Sequence, residues 1–173
     1  MQTVRKLHRV SGLSLIAFLL IVSVTGILLG WKKNSNELLM PDTYRGTSSD
    51  LQNWLPIHSL SSLALHYLHE EDASVKIDRI DIRPSKGVAK VSFTNYWMVQ
   101  IDGTNGKLLH LGKRNADIIE EIHDGSIVDR WLGTSNGFFK LFFTNAMGLA
   151  LLLFIITGFL LWFIPIRMQK QNI

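Results

Sequence analysis

Residues 10–31 read VSGLSLIAFLLIVSVTGILLGW, a run of 22 positions without a charged side chain. Residues 141–166, LFFTNAMGLALLLFIITGFLLWFIPI, form a second such run. At about 1.5 Å per helical residue each reaches roughly 30 Å or more, the thickness of a bilayer's hydrocarbon core. A single helix this apolar fits inside a soluble protein. Two of them, at opposite ends of 173 residues, predict two transmembrane helices. The first is expected to remain as an anchor. It is long for the apolar region of a cleaved leader, and LLGWKKN (28–34) contains no small-x-small cleavage site.

The charges around the two runs orient them. All 14 acidic residues fall between Glu37 and Asp129, where residues 32–137 also hold 12 Lys and Arg, a net of −2. The other six basic residues are Arg5, Lys6, Arg9, Lys140, Arg167 and Lys170, five of them in the two tails. Basic tails without acids predict that both termini lie in the cytoplasm. The formal net charge of +4 is therefore read as a membrane-orientation signal, and nucleic acid is not expected as a partner. With no cysteine in the chain, disulfides, zinc–thiolate sites, iron–sulfur clusters and thiol nucleophiles are excluded.

The expected order is a cytoplasmic tail (1–9), a first transmembrane helix (10–31), an extracytoplasmic domain (32–137), a second transmembrane helix (138–166) and a tail (167–173). The middle segment has the size of a small independent domain. Its first part, 32–58, holds Pro41, Gly46, TSSD and Pro56 with little periodicity and reads as a lead-in from the membrane. SLSSLALHYLHEE (59–71) sets Leu60, Leu63, Ala64 and Tyr67 at helical spacing, with Ser59 or Ser61 as the cap. Strand patterns follow. Val75 and Ile77 alternate with polar residues, and Ile80 and Ile82 do so on the opposite parity, which predicts a bulge near Asp78–Arg79. GVAKVSFT and YWMVQI continue the pattern, and DGTNG (102–106) supplies a hairpin turn before KLLHL. NADIIEEIHDG (115–125) reads as a short helix capped by Asn115 and stopped by Gly125. The fold expected is thus α+β, an antiparallel sheet of three or four strands with helices, set between two transmembrane helices.

These stretches resemble a known family. DGTNGKLL is similar to the Asp-x-x-x-Gly hairpin that closes a PepSY domain, with Asp102 and Gly106 in the matching places. LHRVSGLSL, and IHDGSIVDRWLG leading into AMGLALLLFIITGFLLWFIPIR, resemble the PepSY-associated transmembrane family. The positions that carry the likeness are His8, Gly12, Gly26, His123, Gly125, Gly148, Thr157, Gly158 and Trp162. Larger members have four helices and include inner-membrane ferric-siderophore reductases that bind b-type haem through histidines. This chain has two helices and one PepSY-like domain.

The resemblance implies haem b as cofactor, with His8 and His123 as axial ligands. A membrane b-type haem takes two axial ligands at one depth. His8 belongs to the cytoplasmic face and His123 to the outer face, so they are not expected on the same iron. Each needs a second ligand from elsewhere, the same histidine of a second copy in a homodimer or, for His8, Met168 at the cytoplasmic end of the second helix. The bland reading of His8 is an interfacial polar residue among Arg5, Lys6 and Arg9. His58, His66 and His69 invite a metal reading, but a solvated helix surface is preferred, and His110 is read the same way.

Small and polar residues mark packing positions. Ser23, Gly26 and Gly30 recur at three- and four-residue spacing along the first helix, and Asn145, Gly148 and Gly158 lie on the second. They serve contact between the two helices, dimerisation, partner docking or room for a flat cofactor. Asn145 within a membrane span should seek a hydrogen-bond partner. No P-loop, Gly-x-Ser-x-Gly, HExxH or dinucleotide fingerprint occurs. Three functions follow as expectations. The first is a haem-binding electron-transfer module of the bacterial inner membrane, active in iron or ferric-siderophore reduction as a dimer or subunit. The second is a non-redox periplasmic module that engages a peptide or protease. The third is an accessory subunit of a larger membrane complex.

Overall fold

The computed structural model describes residues 2–68, 75–134 and 136–171, the last four as backbone only. The chain forms two compact units, Leu29–Ile118 and a helical unit of Met1–Leu28 with Ile119–Ile173.

In the first unit, short alternating segments separated by turn residues make four strands: β1 (Ile77–Arg83), β2 (Val88–Phe93), β3 (Trp97–Asp102) and β4 (Leu108–Lys113). They pair antiparallel in the order β1-β2-β3-β4, a meander in which every connection is short. The register of β1 against β2 slips between Ile77 and Arg79, at the bulge that the parity change predicts. After the slip, Ile80 and Ile82 stand opposite Val91 and Ala89, so the apolar residues of both strands share a face. The β3–β4 hairpin turns through Gly106 in the left-handed region (φ +71°). A side chain there would collide with Leu63, so only glycine suits both the turn and the packing above it.

Helix α2 (Ile57–Leu68) covers that face. Leu60, Ala64 and Leu68 bury against Ala89, Val91 and Phe93 of β2 and Val99 and Ile101 of β3. The Tyr67 hydroxyl donates to the Gly106 carbonyl at 3.1 Å, tying the helix to the hairpin. The helix begins two residues before Ser59. Ser61 and Ser62 lie within it and donate to the carbonyls of Ile57 and His58, one turn back, so neither Ser59 nor Ser61 is its cap. Residues 69–71 of the expected helix, His69 included, lie outside the described residues.

The opposite face of the sheet is buried as well and, beside Val88 and Met98, it is polar. Lys90, Ser92, Gln100 and Asp102 lie there, each with less than a tenth of its surface exposed. Buried polar groups need partners, and residues 39–47 of the lead-in supply many of them. Gln100 accepts from the Tyr44 amide at 3.1 Å and donates to the Asp42 carbonyl. Lys90 donates to the Thr43 hydroxyl at 2.6 Å. One Asp102 carboxylate oxygen accepts from both the amide (2.9 Å) and the hydroxyl of Thr47, while the other accepts from the Thr104 amide at 2.8 Å inside the hairpin. Arg114 donates to Ser92 at 2.8 Å. The segment that reads as an aperiodic lead-in is a strap across the back of the sheet.

Asp102 therefore joins the hairpin to the strap. Burial pushes its carboxyl up, but the hydrogen bonds from Thr47, Thr104 and Asn105 outweigh burial and hold it below the ordinary carboxylate range. Replacing Asp102 with Ala should lower the stability of the domain by about 1–3 kcal/mol, because Thr47 and Thr104 lose a charged acceptor. The stabilisation is fully present above the unfolded carboxyl's value near 3.9 and is lost as pH falls from there through the lower folded-state value. Thermal melts of wild type and variant between pH 7 and pH 2 should converge at the acid end. Curves that stay equally separated would contradict this role.

Candidate functional site

The helical unit is built on α1 (Gln2–Gly30) and α5 (Phe138–Gln171). Both satisfy the length and hydropathy of a membrane span, and only 6% of each apolar window is buried within the protein. Leu13, Ile16, Leu20 and Ile27 of α1 and Leu149, Leu152 and Ile155 of α5 are largely exposed, as lipid-facing side chains are. The few buried positions, Thr25 on α1 and Met147, Ala150 and Thr157 on α5, include two threonines.

Each threonine meets a histidine. α1 reaches back to Gln2, since nothing in residues 2–9 breaks a helix, and His8 is thereby inside the helix with its ring turned toward α5. His8 Nδ1 lies 2.7 Å from the Thr157 hydroxyl, and its ring meets Phe154 edge-on at 5.1 Å. Gly158 and Gly12 border this contact, Gly158 beside the His8 ring and Gly12 beside Phe154. At the other end, His123 Nδ1 lies 2.9 Å from the Thr25 hydroxyl, and the ring rests over Gly26. His123 sits at the end of α3 (Asn115–Asp124).

Each hydroxyl also bonds back along its own helix. Thr157 Oγ1 is 2.7 Å from the Leu153 carbonyl, and Thr25 Oγ1 is 2.6 Å from the Ile21 carbonyl, the helix back-bond four residues away. Each threonine proton is thus committed to a carbonyl, and Oγ1 is left to accept. With the threonine proton on its carbonyl, Oγ1 accepts from the ring, and in that arrangement a neutral imidazole carries its proton on Nδ1 and turns the Nε2 lone pair away. An outer-shell bond of this kind fixes ring orientation and tautomer in metal-ligating histidines. Thr25 is 17 residues beyond His8, so the two rings are separated by about 25 Å along α1. They cannot share one iron. Among the described residues there is no cluster of three His, Asp or Glu side chains that would hold a metal ion. Each ring thus offers a single imidazole donor at its end of the helix pair; these are the residues that would hold a haem iron, and any second ligand would come from elsewhere. The Met168 side chain is outside the described residues.

The end of the helical unit near His123 is held by carboxylates. Glycine turns at Gly125 (φ +80°) and Gly133 flank a short helix, α4 (Ser126–Leu132). Its buried Asp129 accepts from the Thr134 hydroxyl (2.7 Å) and from the amides of Phe139 (3.0 Å) and Lys140 (2.8 Å), capping α5. The Thr134 bond and those amides hold its carboxyl below the ordinary range against the opposing effect of burial. Burial likewise pushes the Asp124 carboxyl up, but Lys140, 2.6 Å away, and Ser126 outweigh it and leave it lowered. Arg130 forks onto Glu121. Trp131, Leu132 and Phe138 stand exposed here, and tryptophan is enriched at membrane–water interfaces.

The other residues singled out in the sequence divide. Gly26 and Gly158 sit against the histidine rings. Gly30 and Gly148 have open space where a side chain would be, and Ser23 and Asn145 are exposed, bonded to their own helix at Leu19 and Leu141. In the other unit, His58 is exposed, His66 lies beside Tyr67, and His110 stacks on Tyr44 at 4.8 Å. Sequence reasoning did not single out Thr25. The signal was there, a hydroxyl residue beside Gly26 in a span with few other polar groups.

A family model, the PepSY-associated TM region, matches residues 5–172. The chain belongs to this family. The membrane character of α1 and α5 and the α+β domain between them accord with that membership. No curated protein and no solved structure matches the chain. Within this PepSY-associated protein, Thr25→Val and Thr157→Val remove the acceptor for Nδ1–H without changing side-chain size. In the wild type, ¹⁵N-edited spectra of the imidazoles at neutral pH should show the Nδ1–H tautomer at His8 and His123. Each variant should shift its own histidine toward Nε2–H and leave the other unchanged.

Proposed function

We propose that this protein is a b-type haem-binding electron-transfer module, or a subunit of one, that supports iron or ferric-siderophore reduction at the bacterial inner membrane. The observation that carries the reading is the pair of imidazoles, each hydrogen-bonded through Nδ1 to a threonine hydroxyl, spaced about 25 Å apart along one helix pair. His8 and His123 would each supply one axial ligand. A second copy of the chain would supply the matching histidine at each depth, so a homodimer completes both ligand pairs. When bound, haem is a one-electron carrier whose potential responds to its axial ligands and their hydrogen bonds. The work of the chain itself is to hold each imidazole by its Nδ1–H and to enclose it between glycine-lined helices. Two such sites, one near each face, suit electron passage across the bilayer.

The charge distribution supports an orientation with both termini cytoplasmic and the sheet domain periplasmic. Gly26 and Gly158, which lie beside the His123 and His8 rings, support the haem reading through the room they leave for a flat group.

Protein purified from cells supplied with haem should show a reduced-minus-oxidised b-type spectrum. His8→Ala and His123→Ala should each remove about half of the haem per chain, and the double variant all of it. A colourless wild-type preparation from haem-replete cells would overturn the proposal. So would a haem content unchanged in both variants.

A further inference from the structure

A cavity of about 420 Å³ opens where the strap meets the β1–β2 turn. It lies within the sheet domain, none of its lining residues belongs to the histidine sites, and its chemistry is cationic. Lys33, Arg83, Lys86 and Lys90 line it, opposed by a single carboxylate, Asp42. Among the described residues none of these four cations forms an ion pair. Lys90 is only 6% exposed, and its hydrogen bond goes to the uncharged Thr43 hydroxyl. A buried ammonium without an anion is costly and calls for one. Burial, with repulsion from Arg83, Lys86 and Arg114, lowers the Lys90 ammonium below its ordinary range, and Asp81 compensates only in small part. Thr43 accepts the Lys90 bond, which leaves its own O–H to donate, and the Ser85 hydroxyl lines the same cavity. Met40 and Pro41 form an apolar wall. The volume falls in the range of small-molecule pockets.

The geometry points to an oxyanion-binding site in the sheet domain, in which Lys90, Arg83 and Lys86 receive the carboxylate or phosphate groups of a small ligand and Thr43 and Ser85 donate hydrogen bonds to it. Guanidinium and ammonium groups around a shared space are the usual receptors for such groups. Two sources share this chemistry. One is a free polycarboxylate or phosphate outside the membrane. The other is an anionic lipid headgroup, which Lys33 recommends because it follows the last residue of α1 by only three positions. The site does not depend on haem, and its test is independent of the spectrum above.

The test uses the full chain in neutral detergent and in lipid nanodiscs. Citrate and inorganic phosphate are titrated into the detergent sample by calorimetry. Nanodiscs of phosphatidylcholine, with and without phosphatidylglycerol, are compared by the amide spectra of residues 40–43 and 83–90. The variant is Arg83→Gln/Lys86→Gln, which alters exposed side chains, with Lys90→Met as a second one. A free-ligand site gives citrate or phosphate binding that weakens at least tenfold in the Arg83/Lys86 variant. A headgroup site gives no such binding but a phosphatidylglycerol-dependent shift of those amides that the variant abolishes. Failure of both, or binding that neither variant changes, overturns the inference.

Discussion

Hydrocarbon offers a buried polar atom no partner, and the helical unit is organised around that constraint. Thr25 and Thr157 each satisfy a hydroxyl proton on their own helix and then present an oxygen to an imidazole. Two weakly contacting helices, most of whose apolar surface faces outward, are thereby given two fixed polar contacts near their opposite ends. The contacts are small in area. They orient two rings, one toward each end of the helix pair. The rest of the unit follows: glycines beside the rings, leucine and isoleucine where lipid is met, and carboxylates where α5 begins.

The sheet domain answers a different form of the same need. One face is closed by a helix, chiefly through apolar contact. The other carries a lysine, a serine, a glutamine and an aspartate that would be unsatisfied if covered by apolar groups. A strap of irregular chain suits that face better than a helix, because its backbone amides and carbonyls are free to serve as partners. The tyrosine 44 amide and the Asp42 carbonyl on Gln100 are examples.

Much of this was legible in the sequence, and the reason differs by element. The membrane runs, the four strands, the bulge after Ile77 and the turn at Gly106 all leave a period, a parity change or a glycine in the text. The strap leaves none, because its bonds are made largely by backbone atoms of residues that look arbitrary. His8 was misplaced for a related reason. Three neighbouring basic residues suggested an anchor ahead of the helix, whereas the helix runs back to Gln2 and turns the ring inward. Ser61 looked like a cap because serine often is one, yet Pro56 lies just before the helix and the hydroxyl bonds back along it. The separation of His8 from His123 was readable from topology, but the hydroxyls that set their tautomers depend on which residues face each other across two helices.

Asp129 adds a point about phase. By capping the first amides of α5 it fixes where that helix starts, and Thr157 lies 19 residues after Phe138. A helix advances by about 100° per residue. The angular position of the hydroxyl under His8 is therefore set at the far side of the membrane by a carboxylate roughly 28 Å away. Adding or removing one residue anywhere between them would leave hydropathy and length almost unchanged while carrying Thr157 out of reach of the ring. In this chain the spacing of α5 works as a gear, and its tooth count matters more than its composition.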